Sequence, residues 1–408
     1  MATVAIIGAL DTKGAEFAFL KEEVERRGHR TLVIDAGVLG PPHFAPDVAR
    51  EEVARAAGAD LSQLAAAGDR GRAVTAMARG VEAVALRLYR EGRFGAVLGM
   101  GGSAGTAVAT SAMRALPLGV PKVMVSTLAG GDVSAFVGAS DIVMIPAIVD
   151  VAGLNRISRR VLAAAAGAVC GMLEARVDSS ASRPVVAASM FGNTTPCVER
   201  ARAFFEAAGY EVLVFHATGT GGRTMEGLIE AGEIAGVFDV TTTEWADQLV
   251  GGVLAAGPRR LEAAALTGTP AVVAPGCLDM VNFWAPETVP QRFAGRRFYP
   301  HNPNVTLMRT TPEENAELGR ILAEKLNLSR GPIAVYLPLG GVSAISAPGG
   351  PFHWPEADRA LFETIKRTLR VDIGVREVDC NINDPEFAEA AARGLLDMLA
   401  RASRRAQE

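Results

Sequence analysis

"FGAVLGMGGSAGTAVATSAM", residues 94–113, reads as a strand, a glycine-rich turn and a helix in direct succession. The apolar run Ala96-Val97-Leu98 suits a strand buried on both faces, and "VATSAMRAL" beyond the glycines can continue as a helix. A strand passing through glycines into a helix is half of a βαβ unit, so this stretch predicts a parallel sheet. Neighbouring segments repeat the alternation. "TVAIIG" (3–8) is a strand, and "AEFAFLKEEVERRG" (15–28) sets Phe17, Leu20 and Val24 on one helical face before Gly28 stops it. "RTLVIDAG" (30–37) is a strand, "GPPHFAPD" (40–47) a proline-rich loop, and "RAVTAMARGVEAVALRLYREG" (72–92) a long helix N-capped around Asp69. "PKVMVST" (121–127) is a further strand leading into "LAGGD".

A chain of 408 residues exceeds what one hydrophobic core usually organises, and two domains are expected. The polar, proline-terminated "VDSSASRP" (177–184) lacks periodicity and marks the boundary, giving domains over 1–178 and 184–408. Beyond it, "VVAASMFGNTTPCVERARAFFEAAGYEVLVFHATG" (185–219) echoes residues 4–37, while "IAGVFDVTTTEWADQL" and "TPAVVAPGCLDM" occupy the places of the third and fourth strands. The expected fold is therefore α/β: two Rossmann-like domains of related topology, each a mainly parallel sheet flanked by helices. Ligand-bearing loops belong at the carboxyl ends of the strands. Residues 277–314 read as a long irregular, functional part of the second domain.

Lys plus Arg number 41 against 45 Asp plus Glu, a balance that gives no general attraction to nucleic acid or anionic membrane. The longest apolar run, "VLAAAAGAVCGML" (161–173), is too short to span a bilayer, and the N-terminus lacks a signal peptide's layout. Cys170, Cys197, Cys277 and Cys380 show no zinc-ligand spacing. A cytoplasmic protein is expected. The small side chains of 161–173 permit either close packing between subunits of a homo-oligomer, dimer or larger, or burial inside the helix's own domain.

The glycine turn has three readings. A Walker A loop needs a Gly-Lys-Ser/Thr end, which is absent. Gly99-Met100-Gly101-Gly102-Ser103-Ala104 satisfies G-x-G-x-x-A, yet the next strand ends in Ser126 and Thr127 where a dinucleotide fingerprint expects an acid. There remains a phosphate cradle, with backbone N–H groups and a helix N-terminus facing the anion, set against a plain packing turn. Gly101, Gly102, Ser103, Gly105 and Thr106 would form the cradle. In a parallel sheet the loops carrying Asp11, Thr12 and Lys13, then Ser126, Thr127, Gly130, Gly131 and Asp132, share its edge. Lys13 is the candidate cation, and Asp11 and Asp132 are candidate magnesium ligands. The alternatives are an N-cap for Asp11 and a solvated lysine for Lys13. In the second domain His216, Glu244, Cys277 and His301 are candidate proton carriers or nucleophiles toward a small anionic substrate that Arg309 could clamp. Their alternatives are hydrogen-bonded histidines and a buried thiol.

"GALDTKGAEFAFL", "GVLGPPHFAPDV", "AAAGDRGRAVTAMARG", "GMGGSAGTAVATSAMRALPLGVPKVMVSTLAGGDVSAFVG" and "DVAGLNRISRRVL" together resemble the ATP-binding protein family related to the tomato mosaic virus resistance protein. The resemblance runs from about residue 3 to the C-terminus and is densest before 165. It implies two α/β domains, ATP with magnesium in the first, and self-association. The reading that follows is an ATP-binding protein whose Gly99–Thr106 loop holds the phosphates at or near an interdomain cleft. One alternative is an enzyme with its chemistry in the second domain, by phosphoryl transfer or acid-base steps. Another is an ATP-regulated interaction scaffold.

Overall fold

The computed structural model describes residues 1–176 and 183–405. The chain divides into two compact units, Met1–Ser179 and Ser180–Glu408. Most of the boundary segment, residues 177–182, lies outside the described residues.

The N-terminal unit runs β1 (Thr3–Gly8), α1 (Leu10–Arg26), β2 (Arg30–Asp35), α2 (Arg50–Ala56), α3 (Leu61–Ala67), α4 (Arg70–Arg90), β3 (Ala96–Gly101), α5 (Ser103–Ala115), β4 (Lys122–Ser126), α6 (Ser134–Val137), β5 (Val143–Pro146) and α7 (Arg156–Glu174). Its sheet has the order β2-β1-β3-β4-β5, and the paired strands are parallel. Buried residues on alternate sides of β1 and β3 serve two cores. Ala5, Ile7 and Val97 face Met77, Val81 and Val84 of α4 and Ala109 and Met113 of α5. Val4, Ile6, Ala96 and Leu98 face Phe17, Leu20 and Val24 of α1 and Leu162, Ala165, Ala166 and Val169 of α7. The small-residue helix thus buries its apolar stripe within its own unit. Asp69 caps α4 by accepting from Arg72 N, at 3.0 Å.

The C-terminal unit runs β6 (Val185–Met190), α8 (Thr195–Ala207), β7 (Glu211–His216), α9 (Thr220–Glu230), β8 (Gly236–Thr241), α10 (Glu244–Val250), α11 (Ala263–Thr267), β9 (Ala271–Gly276), β10 (Met280–Phe283), β11 (Phe298–Asn302), β12 (Val305–Arg309), α12 (Pro312–Leu326), β13 (Ile333–Pro338), α13 (Pro355–Thr368), β14 (Gly374–Val378) and α14 (Pro385–Arg405). The main sheet has the order β7-β6-β8-β9-β13-β14, again with parallel pairs. Its first four strands match the β2-β1-β3-β4 order of the other unit, so the two Rossmann-like topologies are related.

Residues 277–314, expected to be irregular, instead carry a three-stranded antiparallel sheet of order β10-β12-β11. A structureless loop of 38 residues would leave its backbone groups to water; pairing satisfies them.

Candidate functional site

In a doubly wound sheet the crossovers leave a crevice where the strand order reverses, here between β1 and β3. A cavity of about 340 Å³ lies at that edge. The β1–α1 turn (Gly8, Ala9, Asp11, Thr12), the segment after β2 (Ala36–Leu39), the α3–α4 junction and the first turn of α5 (Ala104, Gly105) line it. Leu64, Val74, Met77 and Val108 give it apolar walls, and Arg70 stands at the rim as a cation.

Two carboxylates shape this edge. Asp35, at the end of β2 and fully buried, accepts from Leu10 N at 3.0 Å and Gly37 N at 2.9 Å, supplying α1 with the cap its own sequence lacks. Burial pushes the Asp35 carboxyl above the usual aspartate range, against the lowering effect of those bonds. Asp11 Oδ2 accepts from Val38, Leu39 and Gly40 N at 3.0, 2.7 and 3.2 Å. Asp11 is therefore a tie for the loop after β2 through Oδ2, and not a cap of α1. Its Oδ1 is buried without a partner.

The glycine turn combines packing with an open helix end. A Cβ on Gly99 would lie 2.6 Å from Ala109 Cβ, and one on Gly101 2.8 Å from Gly105 Cα, so these glycines let α5 lie against β3. Gly99 sits inside β3, two residues before its end, whereas the first glycine of a dinucleotide fingerprint makes the tight turn after the strand. Gly102 stands at the N-cap of α5, and no side chain caps that helix. The N–H groups of Ser103, Ala104 and Gly105 occupy its first turn, where a helix presents positive charge.

Several expected cradle residues do other work. Thr106 and Ser126 are fully buried, and their hydroxyls bond each other at 2.7 Å while Ser126 Oγ also accepts from Leu128 N. Neither hydroxyl reaches a ligand. Lys13, at a non-helical kink in α1, donates Nζ to the carbonyl of Val151. Thr127, Gly130, Gly131 and Asp132 are exposed and do not line the cavity; Asp132 Oδ1 accepts from Ser134 N at 2.9 Å, which holds its carboxyl below the usual range. Among the described residues no three His, Cys, Asp or Glu side chains gather as a metal centre. The α3–α4 junction was missed, although "AAAGDRGRAV" carries the signal: Gly68 in the left-handed conformation ends α3, Asp69 caps α4, and Ala73, Val74 and Met77 follow at helical spacing.

In the C-terminal unit the catalytic candidates do not assemble. Glu244, 1% exposed, accepts from Gly219 N at 2.7 Å and Gly222 N at 3.1 Å through Oε1 and from Arg260 Nε at 2.6 Å through Oε2. Asp239 holds the other side of that guanidinium and Glu226 adds a third carboxylate, which makes Glu244 a structural ion-pair member rather than a proton carrier. Cys277 is fully buried, and burial beside Asp279 pushes its thiol far above the usual range, so it is no nucleophile. His216 ends β7 exposed, its ring stacked on Phe191. His301 is exposed on β11. Arg309 is buried and holds Asp358 at 2.6 Å and the Phe352 carbonyl at 2.8 Å, so it does not clamp a substrate.

These features define a class: a two-unit α/β protein whose N-terminal sheet keeps an open switch-point crevice beside an uncapped helix. The models of the Uncharacterised protein family (UPF0261) N-terminal and C-terminal domains match residues 2–178 and 183–399, and the chain belongs to the UPF0261 family. A UPF0261 protein of Clostridium tetani (strain Massachusetts / E88) is 50% identical over 398 residues, covering 97% of this chain and 98% of its own. The ToMV susceptible protein tm-1(GCR26) of Solanum lycopersicum is 38% identical over 418 residues, covering 97% of this chain and 55% of its own. The ToMV resistance protein Tm-1(GCR237) of the same plant is 42% identical over 337 residues, covering 81% of this chain and 45% of its own. The chain thus spans about half the length of the tomato proteins. No described helix is long and apolar enough to cross a membrane.

Proposed function

We propose that the N-terminal unit binds ATP, with the base between the apolar walls of the switch-point cavity and the phosphates at the first turn of α5. One observation carries this reading: a 340 Å³ cavity with apolar walls meets, at Ala104 and Gly105, a helix N-terminus that no side chain caps. Backbone N–H groups of residues 103–105 and the exposed Ser103 hydroxyl are the phosphate donors, and Arg70 replaces Lys13 as the nearby cation. Magnesium would come with the nucleotide, since it binds largely through phosphate oxygens and water and needs few protein ligands.

Calorimetric titration of the full chain with ATP, ADP and NAD, with and without magnesium, tests the reading. ATP is expected to bind more tightly than NAD. Ala73→Trp points a large ring into the cavity from a half-buried position on α4, and is expected to weaken ATP by about tenfold or more with the unfolding midpoint unchanged. Absence of ATP affinity in magnesium, preference for NAD, or full affinity in Ala73→Trp would overturn it.

A further inference from the structure

The glycine-rich stretch "LGGVSAISAPGGPFHWPEAD" (339–358) has no part in the nucleotide reading. It joins β13 to α13, and a second cavity, of about 320 Å³, lies between this loop, α13 and the end of β14. Asp358 lines it. That side chain is 10% exposed, and its Oδ1 accepts from Arg309 at 2.6 Å. Oδ2 accepts no hydrogen bond from any described residue and is left to the cavity. That oxygen is reached by solvent, so the donor of a bound ligand can take the place of water there. The next residue on the helix, Arg359, also lines the cavity, exposed and without an ion pair among the described residues. Of the other titratable groups that line it, Glu363 and Glu377 both hold Lys366, at 2.6 and 2.7 Å, and His353 Nδ1 lies 3.3 Å from the Ser346 carbonyl. Phe362 and Leu339 supply apolar surface.

We infer that this cavity is a ligand site for a small zwitterion of the α-amino-acid class, its ammonium donating to Asp358 Oδ2 and its carboxylate held by the Arg359 guanidinium. Charge selects this class over its neighbours. A purely anionic ligand would face the carboxylates of Asp358, Glu363 and Glu377, while a purely cationic one would leave Arg359 unmatched. A zwitterion satisfies both free groups, and its side chain can rest on Phe362. The site lies wholly within the C-terminal unit and is independent of nucleotide binding in the other.

Titration calorimetry of the full chain with L-leucine is the test, with 4-methylpentanoate and 3-methylbutylamine, each bearing one of its two charges, as controls. Saturable binding of leucine is expected, about tenfold or more tighter than either control. Asp358→Asn and Arg359→Gln are each expected to weaken leucine by a similar factor. The first also removes the charge facing buried Arg309 and so risks the fold, whereas Arg359 is exposed and makes no structural bond. Arg359→Gln alone therefore decides. No saturable heat with leucine up to its solubility limit, equal binding of a singly charged control, or unchanged affinity in a folded Arg359→Gln protein would overturn the assignment.

Discussion

Asp247 carries the clearest pH-dependent prediction. It lies in α10, 1% exposed, and accepts from Asn282 N at 2.9 Å, Asn282 Nδ2 at 2.7 Å and, at 3.4 Å, Leu254 N. No cation pairs with it among the described residues. Burial pushes its carboxyl up to about 7, against the lowering effect of those hydrogen bonds, and the nearby Glu244 charge adds to the rise. From an ordinary aspartate at about 3.9, this displacement corresponds to about 4 kcal/mol as an upper bound. Because the folded pKa is raised, the folded chain keeps a proton that the unfolded chain has already released. Stability therefore falls as pH rises from about 4 to about 7, and is flat above that window. Asp279, raised by burial to about 6, contributes in the same sense. Asp247→Asn carries a neutral amide through the whole range. Its new N–H group has a partner at hand, because Asn282 Oδ1 is buried without one and an amide flip presents it. The variant is expected to be more stable than the parent at pH 8 by about 2 kcal/mol and nearly equal to it at pH 4.5. Urea unfolding followed by tryptophan fluorescence isolates the relevant unit, since Trp245, Trp284 and Trp354 all lie in it. Parallel pH profiles for parent and variant would refute the reasoning.

Glu244→Gln sets an amide against Arg260 inside a buried ion-pair cluster, and a loss of about 3 kcal/mol in the same fluorescence assay is expected; unchanged stability would restore Glu244 as a functional carboxylate. Under native conditions Cys380, the one cysteine not buried, should react with a thiol reagent, while Cys170, Cys197 and Cys277 wait for unfolding; rapid labelling of Cys277 would contradict its burial and raised pKa. Gly101→Val places a Cβ 2.8 Å from Gly105 Cα and must push α5 off β3. It should cost about 2 kcal/mol and abolish ATP binding, and calorimetry together with circular dichroism melts would show either effect missing.

The alternation of strands and helices was legible because most segments were long enough to display their period. Phe17, Leu20 and Val24 of α1 face the core as their spacing requires, and Asp69 caps α4 where expected. α2 and α3, seven residues each, are too short to show a helical stripe. β10, β11 and β12 have four or five residues and are separated by prolines, so their alternation is lost among turn signals. The place of the crevice was legible too, since strand-end loops of a parallel sheet share an edge. Asp35 is not legible as a group of this edge because the strand that follows the glycine turn is β4, whereas the buried acid ends β2 beside the first turn of α1.

The roles of single side chains at that edge depend on which way each helix turns its face. Thr106 shares a face with Ala109, Thr110 and Met113, three, four and seven residues on, all buried. That spacing places its hydroxyl against β4 and away from a ligand. The same principle separates the two units, whose strand orders agree but whose switch points differ. Between β1 and β3 the loop residues are small and the edge stays open. Between β6 and β8 the Thr194 and Thr241 hydroxyls bond each other at 2.8 Å, Thr241 N donates to Ser189 Oγ, and Ala344 N donates to the Asn193 carbonyl. Polar residues there close the edge with the unit's own loops. A repeated topology thus repeats the location of a potential crevice, while the side chains that tie or free its loops determine whether a ligand can enter.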